Sequence, residues 1–328
     1  MSSTRRLATG LLVAALATSA ISLLAQAAGV LHGFEKRTVA ARFDVRGAAT
    51  PPKDVVLVAI DDATFTDLGT QWPFPRSLHA KAIDALDAAG AREIVYDVQF
   101  TEQTTEREDN ALYAAVARAR GVLLATSEFD RDGRTNVLGG DENLAAADAS
   151  AAAANLPDDR SGVLDHFPYA SGPLRSLAVA AAASAGGPSL SRSSFDADGA
   201  WIDFRGPPGT IETVSFSSVV EGRADPALFR DRVVVVGAFA PSLQDVHPTP
   251  TAAEPMSGPE IQANALQEGV APRRRARRDP RTERKALRPG PRRGVPRTRT
   301  GSVRRALRRR THERRAGDRK RHRACEPA

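Results

Sequence analysis

The chain has very little cysteine: its single Cys325 lies close to the C-terminus. A disulfide framework and a cysteine-rich metal site are therefore excluded for the rest of the sequence. The sequence also lacks the Gly-x-Gly-x-x-Gly fingerprint, the P-loop, the Gly-x-Ser-x-Gly elbow and the His-Glu-x-x-His motif. Nucleotide binding and the familiar hydrolase chemistries consequently have no local support, and no cofactor is expected.

Positive charge is in the minority except at the end of the chain. Residues 271–328 hold 24 of the 46 lysines and arginines but only 5 of the 39 acidic residues, so residues 1–270 are net acidic. No aromatic residue interleaves the tail arginines for stacking on bases, and nucleic acid is therefore not an expected partner. We interpret residues 271–328 as a disordered Arg-rich tail or as the product of a shifted reading frame.

Long uncharged runs are also rare, and the exception is Leu7 to Leu31. This run is long enough for a helix to cross a bilayer, and the positive charge before it places residues 1–6 in the cytoplasm. The alternative is a cleaved signal peptide, because residues 25–27 have the small-x-small form that signal peptidase accepts. The anchor over residues 7–31 is favoured because the run stays apolar past that point. We expect a single-pass membrane protein with its body outside the cytoplasm.

The body, residues 40–268, alternates buried strands with amphipathic helices. Val55 to Ile60 and Val233 to Val236 are continuous β-branched runs of the kind that fill parallel sheets. A helix capped by Ser77 follows the first run, and Glu93 to Phe100 forms the next strand. The fold class is therefore α/β, a largely parallel sheet of βαβ units with flanking helices and right-handed crossovers. One transmembrane helix precedes it and the basic tail follows it.

Carboxylates follow several of the predicted strands. Asp61 and Asp62 end the first strand, Asp97 lies near the end of the second, and Asp245 and His247 follow the valine-rich strand. The carboxyl ends of parallel strands share one edge of a sheet, where ligands usually bind. Such a group suits a divalent cation or acid-base chemistry. In the alternative interpretation the aspartates only fix loop shape, and no metal is assigned because their spacing matches no metal motif.

The segment from Trp72 to Ser77 is stiffened by two prolines. It either presents Trp72 and Arg76 to a ligand, or closes over the core with Trp72 and Phe74 while Arg76 pairs with an aspartate of the strand ends. His79 and His166 have no partner at ligand spacing, so no role is assigned to them. The candidate ligand-binding residues are Asp61, Asp62, Trp72, Arg76, Asp97, Asp245 and His247.

Five segments stand in a fixed order along the chain: VVLVAIDDATFTDLG from Val55, QWPFPRSLHAKAIDAL from Gln71, REIVYDVQFTE from Arg92, FRDRVVVVGAFAPSLQDVHPTP from Phe229 and, last, MSGPEIQANAL. Together they resemble the CHASE family, second type, the extracellular sensory domains associated with adenylate or guanylate cyclases and histidine kinases. The resemblance covers about residues 40–266. With the single apolar run, it implies a protein of the bacterial inner (cytoplasmic) membrane, single-pass as given, with its body in the periplasm.

The resemblance implies a receptor in which an N-terminal helix leads to an outside domain. Further membrane helices and a cytoplasmic cyclase, histidine kinase or Ser/Thr kinase domain then follow. This chain departs from that layout after Leu266, and we expect a sensory domain without catalysis whose output domain is missing. Its expected partners are a small-molecule or envelope signal, the membrane and, as an open alternative, a second copy in a homodimer. The competing hypothesis is an exported α/β metal-dependent hydrolase that uses the carboxylates.

Overall fold

The computed structural model describes residues 10–20, 38–39, 41–43, 45–157, 162–187, 190–251 and 254–269. The chain divides into two compact units, Met1–Arg273 and Arg274–Ala328, and the second lies outside the described residues, as does the predicted tail over 271–328. Residues 10–20 form a helix with exposed side chains. No helix within the described part of the chain is both long and apolar enough to cross a membrane. Much of the predicted 7–31 anchor, and all of residues 1–6, lie outside that part.

Six parallel strands form the main sheet, in the order β4-β3-β2-β10-β1-β9. The prediction of a parallel α/β sheet is thus confirmed. Short two-stranded antiparallel ribbons (β5 with β8, β6 with β7, β11 with β12) make up the rest. The strands are β1 Val55–Ile60, β2 Glu93–Asp97, β3 Leu123–Thr126, β4 Ser150–Ala153, β5 His166–Phe167, β6 Ala170–Ser171, β7 Leu174–Arg175, β8 Ala200–Trp201, β9 Thr213–Ser215, β10 Val233–Ala238, β11 Val246–His247 and β12 Met256–Ser257.

Helices cover both faces of this sheet. The helices are α1 Asp62–Leu68, α2 Arg76–Ala88, α3 Glu106–Ala119, α4 Asp141–Ala146, α5 Leu177–Ser184, α6 Phe216–Val220 and α7 Gly258–Leu266, with 3-10 turns at Val137–Gly139, Arg192–Ser194, Pro226–Leu228, Pro241–Leu243 and Gln267–Gly269. Helices α2 and α3 pack with the even-numbered side chains of β1, such as Val56 and Val58. Helices α5 and α7 pack with Val55 and Leu57 on the other face. Because both faces are buried, β1 and β10 are apolar at nearly every position.

Two local details differ from the sequence predictions. Ser77 does not cap α2: the N-cap residue is Pro75, and the Ser77 amide lies inside the helix and donates to the Glu108 carboxylate over 2.7 Å. The strand predicted at Glu93 to Phe100 is shorter, because β2 ends at Asp97. For Ser77 the deciding contact, the Glu108 carboxylate, lies outside the local sequence pattern.

Candidate functional site

Asp61 and Asp62, at the end of β1, have different surroundings. The Oδ1 atom of Asp61 accepts hydrogen bonds from the Thr64 amide (2.8 Å), the Thr64 hydroxyl (2.7 Å) and the Ser215 hydroxyl (2.8 Å). Asp61 is therefore the N-cap of α1 and ties that helix to the end of β9. Asp62 lies in the first turn of α1 and is exposed. The fold itself already uses the Asp61 carboxylate.

Asp97, Asp245 and His247 come together at the ends of β2 and β10. Asp97 is paired in register with Gly237 of β10, and the Asp245 carboxylate lies against Gly258 at the start of α7. The His247 Nε2 is 3.2 Å from the Asp245 Oδ1. Three of the seven residues predicted from the sequence thus lie near one another at this edge of the sheet, a place that we call the crevice.

The electrostatics of this crevice favour a protonated carboxyl group. Burial, reinforced by the negative charge of Asp245, raises the pKa of Asp97 to about 8. Asp97 accepts no hydrogen bond from any residue in the described part of the chain that would stabilise its charged form. Near neutral pH Asp97 is therefore mostly protonated and can act as a proton donor.

Two glycines make this close approach of β10, α7 and the carboxylates sterically feasible. A Cβ atom on Gly237 would overlap the ring of Pro259 and lie 3.2 Å from the Cβ of Asp97. A Cβ atom on Gly258 would overlap the carboxylate of Asp245. Sequence reasoning missed both as site residues. The available signal was a glycine at the end of a buried valine run and another directly before a helix-starting proline.

The topology of the sheet marks the same place. Strand β10 lies between β1 and β2, whose continuations lead to α1, α2 and α3 packed on one face. The chain after β10 instead leads to α7 on the opposite face. Where neighbouring strands continue to opposite faces, a crevice opens at their carboxyl ends, and ligands of open α/β sheets bind there. Within the described residues, no group of three or more His, Cys, Asp or Glu side chains is arranged to hold a metal ion.

Trp72 and Arg76 lie away from the crevice and contact the core. The buried Arg76 pairs with Asp109 (2.9 Å), donates to the Glu102 carbonyl and lies over the ring of Phe100, so it pairs with none of the strand-end aspartates. Trp72 packs edge-on against Phe74, with the ring centroids 5.3 Å apart. These contacts are those of the second interpretation, a segment closing over the core.

A buried histidine and its tyrosine partner were not predicted from the sequence. The Nδ1 atom of His79 is 2.8 Å from the Tyr96 hydroxyl, inside an aromatic cluster that includes Phe74, Phe100 and Phe216. Burial, together with the nearby Arg76 charge, lowers the pKa of His79 to about 3. The ring is thus neutral near pH 7. The strand alternation of Ile94 and Tyr96 on one face was the signal that could have revealed this partner.

Most of the chain, including every residue of the crevice, matches a known family model. The model described as the CHASE2 domain matches residues 11–287, well over half of the chain. The match begins earlier and ends later than the 40–266 range inferred from the motifs. No curated protein and no solved structure matches this chain.

Proposed function

The chain belongs to the CHASE2 domain family, and from this premise we propose that it is the extracytoplasmic sensory domain of a bacterial transmembrane receptor coupled to a cyclase or a kinase. The family consists of extracellular sensory domains. Coupling would require that a signal at the crevice change contacts at the end of the domain where the chain leaves it. The fold offers a path between the two.

The observation that carries the proposal is that the described domain starts and finishes at the same edge of its sheet. Residues 47–54 lead into the amino end of β1, and the Ala49 amide donates to the Arg205 carbonyl over 2.6 Å. Arg205 Nε in turn donates to Gln267 Oε1 over 2.8 Å, just beyond α7. An arrangement of this kind suits a module inserted between two membrane segments.

Side-chain hydrogen bonds join the arriving and departing segments. Arg46 pairs with the Asp203 carboxylate, and the Asp203 carbonyl accepts from Gln267 Nε2 over 3.1 Å. The Arg205 amide donates to Asn264 Oδ1 over 3.0 Å. We call this set, Arg46, Asp203, Arg205, Asn264 and Gln267, the exit network. A shift of α7 along its axis would have to break or remake these contacts.

Helix α7 connects the exit network to the crevice. It begins at Gly258 against the Asp245 carboxylate and ends at Leu266, directly before Gln267. All the α7 residues are buried, so the helix is held on every side and would move as a rigid element. Within the proposal, a ligand that changes the Asp97 and Asp245 pair acts on the first turn of α7, and the exit network receives the displacement.

Topology is the first test. Alkaline phosphatase, which is active only outside the cytoplasm, is fused after Gly269 in the full leader context, and β-galactosidase is fused at the same point. We expect phosphatase activity without galactosidase activity. Galactosidase activity without phosphatase activity would reject the proposal.

The proposed coupling to a cyclase or a kinase is tested with the nucleotide sequence of the gene. The nucleotide sequence downstream of the Leu266 codon is translated in all frames. We expect one frame to encode apolar membrane helices followed by a cyclase or kinase domain. Frames with no apolar helix would contradict the receptor layout.

One observation favours a second candidate function, an exported hydrolase. Asp245 and His247 lie 3.2 Å apart beside a carboxyl whose pKa is about 8, a combination that can supply both an acid and a base. The full chain with divalent cations would then turn over members of an ester and phosphoester panel, and Asp97→Asn would remove that turnover. If the unmodified chain turns over none of these substrates, the hydrolase is rejected and only the sensory function remains.

A further inference from the structure

An open cavity of about 700 Å³ lies toward the amino edge of the sheet, and neither Asp97 nor Asp245 lines it. One wall is formed by helical residues at 38–39, 41–43 and 45–46, which contribute Val39 and Phe43. The other wall is formed by Trp201 and Ile202. The cavity therefore lies between the segment that enters the domain and the strand leading to the exit network.

The lining of this cavity is amphipathic in a specific way. Trp201 is 41% exposed, which is unusual for so large an apolar side chain, and Val39 is partly exposed. An alkyl chain packed against these apolar surfaces would bind favourably, because both the chain and the surfaces would be removed from water.

Arginine side chains stand at the same cavity. Arg46 is occupied, because it pairs with Asp203 and lies over the Phe43 ring at 4.7 Å. Arg42 is exposed and makes no ion pair with any residue that the structure describes. Among the described residues nothing engages the Arg42 guanidinium, and a guanidinium suits carboxylate and phosphate equally well.

We propose that this cavity binds an anionic amphiphile, with its carboxylate or phosphate head on Arg42 and its alkyl chain between Phe43 and Trp201. The chemistry fits both a bilayer lipid and a free fatty acid or alkyl phosphate. A bilayer source rests on the proposed function: from Leu31, at the end of the apolar run, the chain to Val39 spans at most roughly 28 Å when extended. The cavity is then within reach of the membrane surface.

Such a ligand would touch both sides of the exit network. It would contact the entering segment through Arg42 and Phe43, and the strand leading to Asp203 through Trp201 and Ile202. Binding at the amino edge would therefore favour one arrangement of the network, so that the membrane or a diffusible amphiphile tunes the sensor independently of the crevice.

The test uses Trp201 fluorescence in the full chain. The protein has two tryptophans, so Trp72→Phe leaves Trp201 as the single reporter. The chain is placed in nanodiscs of phosphatidylcholine and titrated with monomeric decyl phosphate carrying bromine on its chain. A parallel set of nanodiscs contains phosphatidylglycerol brominated on its acyl chains. We expect quenching of Trp201 by the free amphiphile, by the brominated lipid or by both, and the arms that respond identify the source.

Charge specificity is checked with matched ligands and variants. Arg42→Ala should weaken the binding of decyl phosphate roughly fivefold, which is the upper range for an exposed ion pair. Arg131→Ala removes the same charge from an exposed position in the loop after β3 and should leave binding unchanged. Because Trp201 reports only its own surroundings, lipid bound by the Arg-rich tail does not produce the signal.

Three results would overturn the inference: no quenching in any arm, equal quenching by brominated decyl maltoside, or an equal spectral response to inorganic phosphate alone. The first result would mean that no amphiphile binds beside Trp201. The second would mean that binding does not require the anionic head, and the third that it does not require the alkyl chain. None of them bears on topology. The fusion experiment can therefore reject the proposed topology while the cavity binds its ligand. Equally, the fusions can support the topology while the cavity binds nothing.

Discussion

Asp61 and Asp97 end two strands of the same parallel sheet, on either side of β10, yet their surroundings differ completely. Asp61 accepts three hydrogen bonds from Thr64 and Ser215 and serves as a helix cap. Asp97 accepts none from the described residues, lies beside Asp245 and has a pKa raised to about 8. The same residue type near the carboxyl ends of two strands therefore caps a helix in one case and lacks a hydrogen-bond donor from the described residues in the other.

The difference arises from the segment of chain after each strand. After β1 the chain turns at once into α1, which brings the Thr64 amide and hydroxyl back to Asp61. After β2 the chain runs on to Phe100 and Glu102 before α3 begins, so no helix amide returns to Asp97. Its neighbours come from β10 and α7 instead and carry no donor toward it. A carboxylate whose oxygens already accept hydrogen bonds from nearby residues is structural, whereas one without such donors is a candidate for ligand binding. The position in the sheet matters less.

The largest expected effect concerns the packing that creates the Asp97 crevice. Gly237→Ala places a methyl group on the Pro259 ring, which belongs to the rigid first turn of α7. We expect a loss of about 3 kcal/mol in the free energy of unfolding, the upper range for overpacking a filled site. Gly121→Ala is the control, because that glycine has a positive φ of 61° but open space around it. It should cost about 1 kcal/mol, from backbone strain alone. Equal losses in denaturant unfolding would show that β10 and α7 are not in tight contact.

The next effect concerns Asp61. Asp61→Ala removes the cap of α1 and leaves two hydroxyls and an amide without their acceptor, and we expect a loss of about 2 kcal/mol. Asp62→Ala, in the exposed first turn of the same helix, should cost no more than about 0.5 kcal/mol. Thermal unfolding of both variants measures the contrast. Similar losses would mean that Asp61 is not the cap and remains free to bind a ligand.

The sequence was enough to predict the strands with the strongest signal and the layers of the fold. Val55–Ile60 and Val233–Ala238 are long apolar runs, and the helix ending near Gly90 shows clear periodicity. The β9 strand was missed because it has only three residues and little apolar character. Its short pairing with β1 depends on a partner more than 150 residues distant in sequence, which no local pattern contains.

The candidate site was predicted only in part, for a similar reason. Parallel topology brings Asp97 and Asp245 to one edge, and the sequence alone supports that inference. It did not separate Asp61 from them, because the two Thr64 donors become evident only with the cap of α1, and the third donor, the Ser215 hydroxyl, belongs to a strand that had not been recognised. Nor could it place Arg76, whose partner Asp109 belongs to the next helix along the chain. That any of the seven candidates contacts a ligand stays a prediction.

A smaller effect is expected in the pH dependence of stability. The pKa of Asp97 is higher in the folded chain, about 8, than its ordinary value of 3.8, so its protonation favours the folded state. The contribution is fully present below pH 3.8 and is lost as pH rises toward 8. Relative to Asp97→Asn, the unmodified chain should lose about 1 kcal/mol between pH 5 and pH 8, a value reduced because the carboxyl stays partly accessible.

The two chains are compared at each pH because Glu93, at the other end of β2, has a pKa raised to about 7 by burial and adds a slope of the same sign. Glu93 is present in both chains, so its contribution cancels in the difference. A difference that does not change with pH would mean that burial does not raise the pKa of Asp97, and the contrast between the two strand ends would then lose its electrostatic part.

The smallest effect tests whether Asp97 and Asp245 share their environment. Asp245→Asn removes the neighbouring negative charge, so the pKa of Asp97 should fall by a fraction of a unit and stay far above 3.8, because burial is the larger cause. The carboxyl carbon resonance of Asp97, followed by NMR across pH, measures this, and Asp62→Asn is the control with the same charge change. If Asp245→Asn leaves the pKa where it was, Asp97 is raised by burial alone. The first turn of α7 would then have no electrostatic link to the end of β2, and a ligand at Asp97 would have to move the helix by contact.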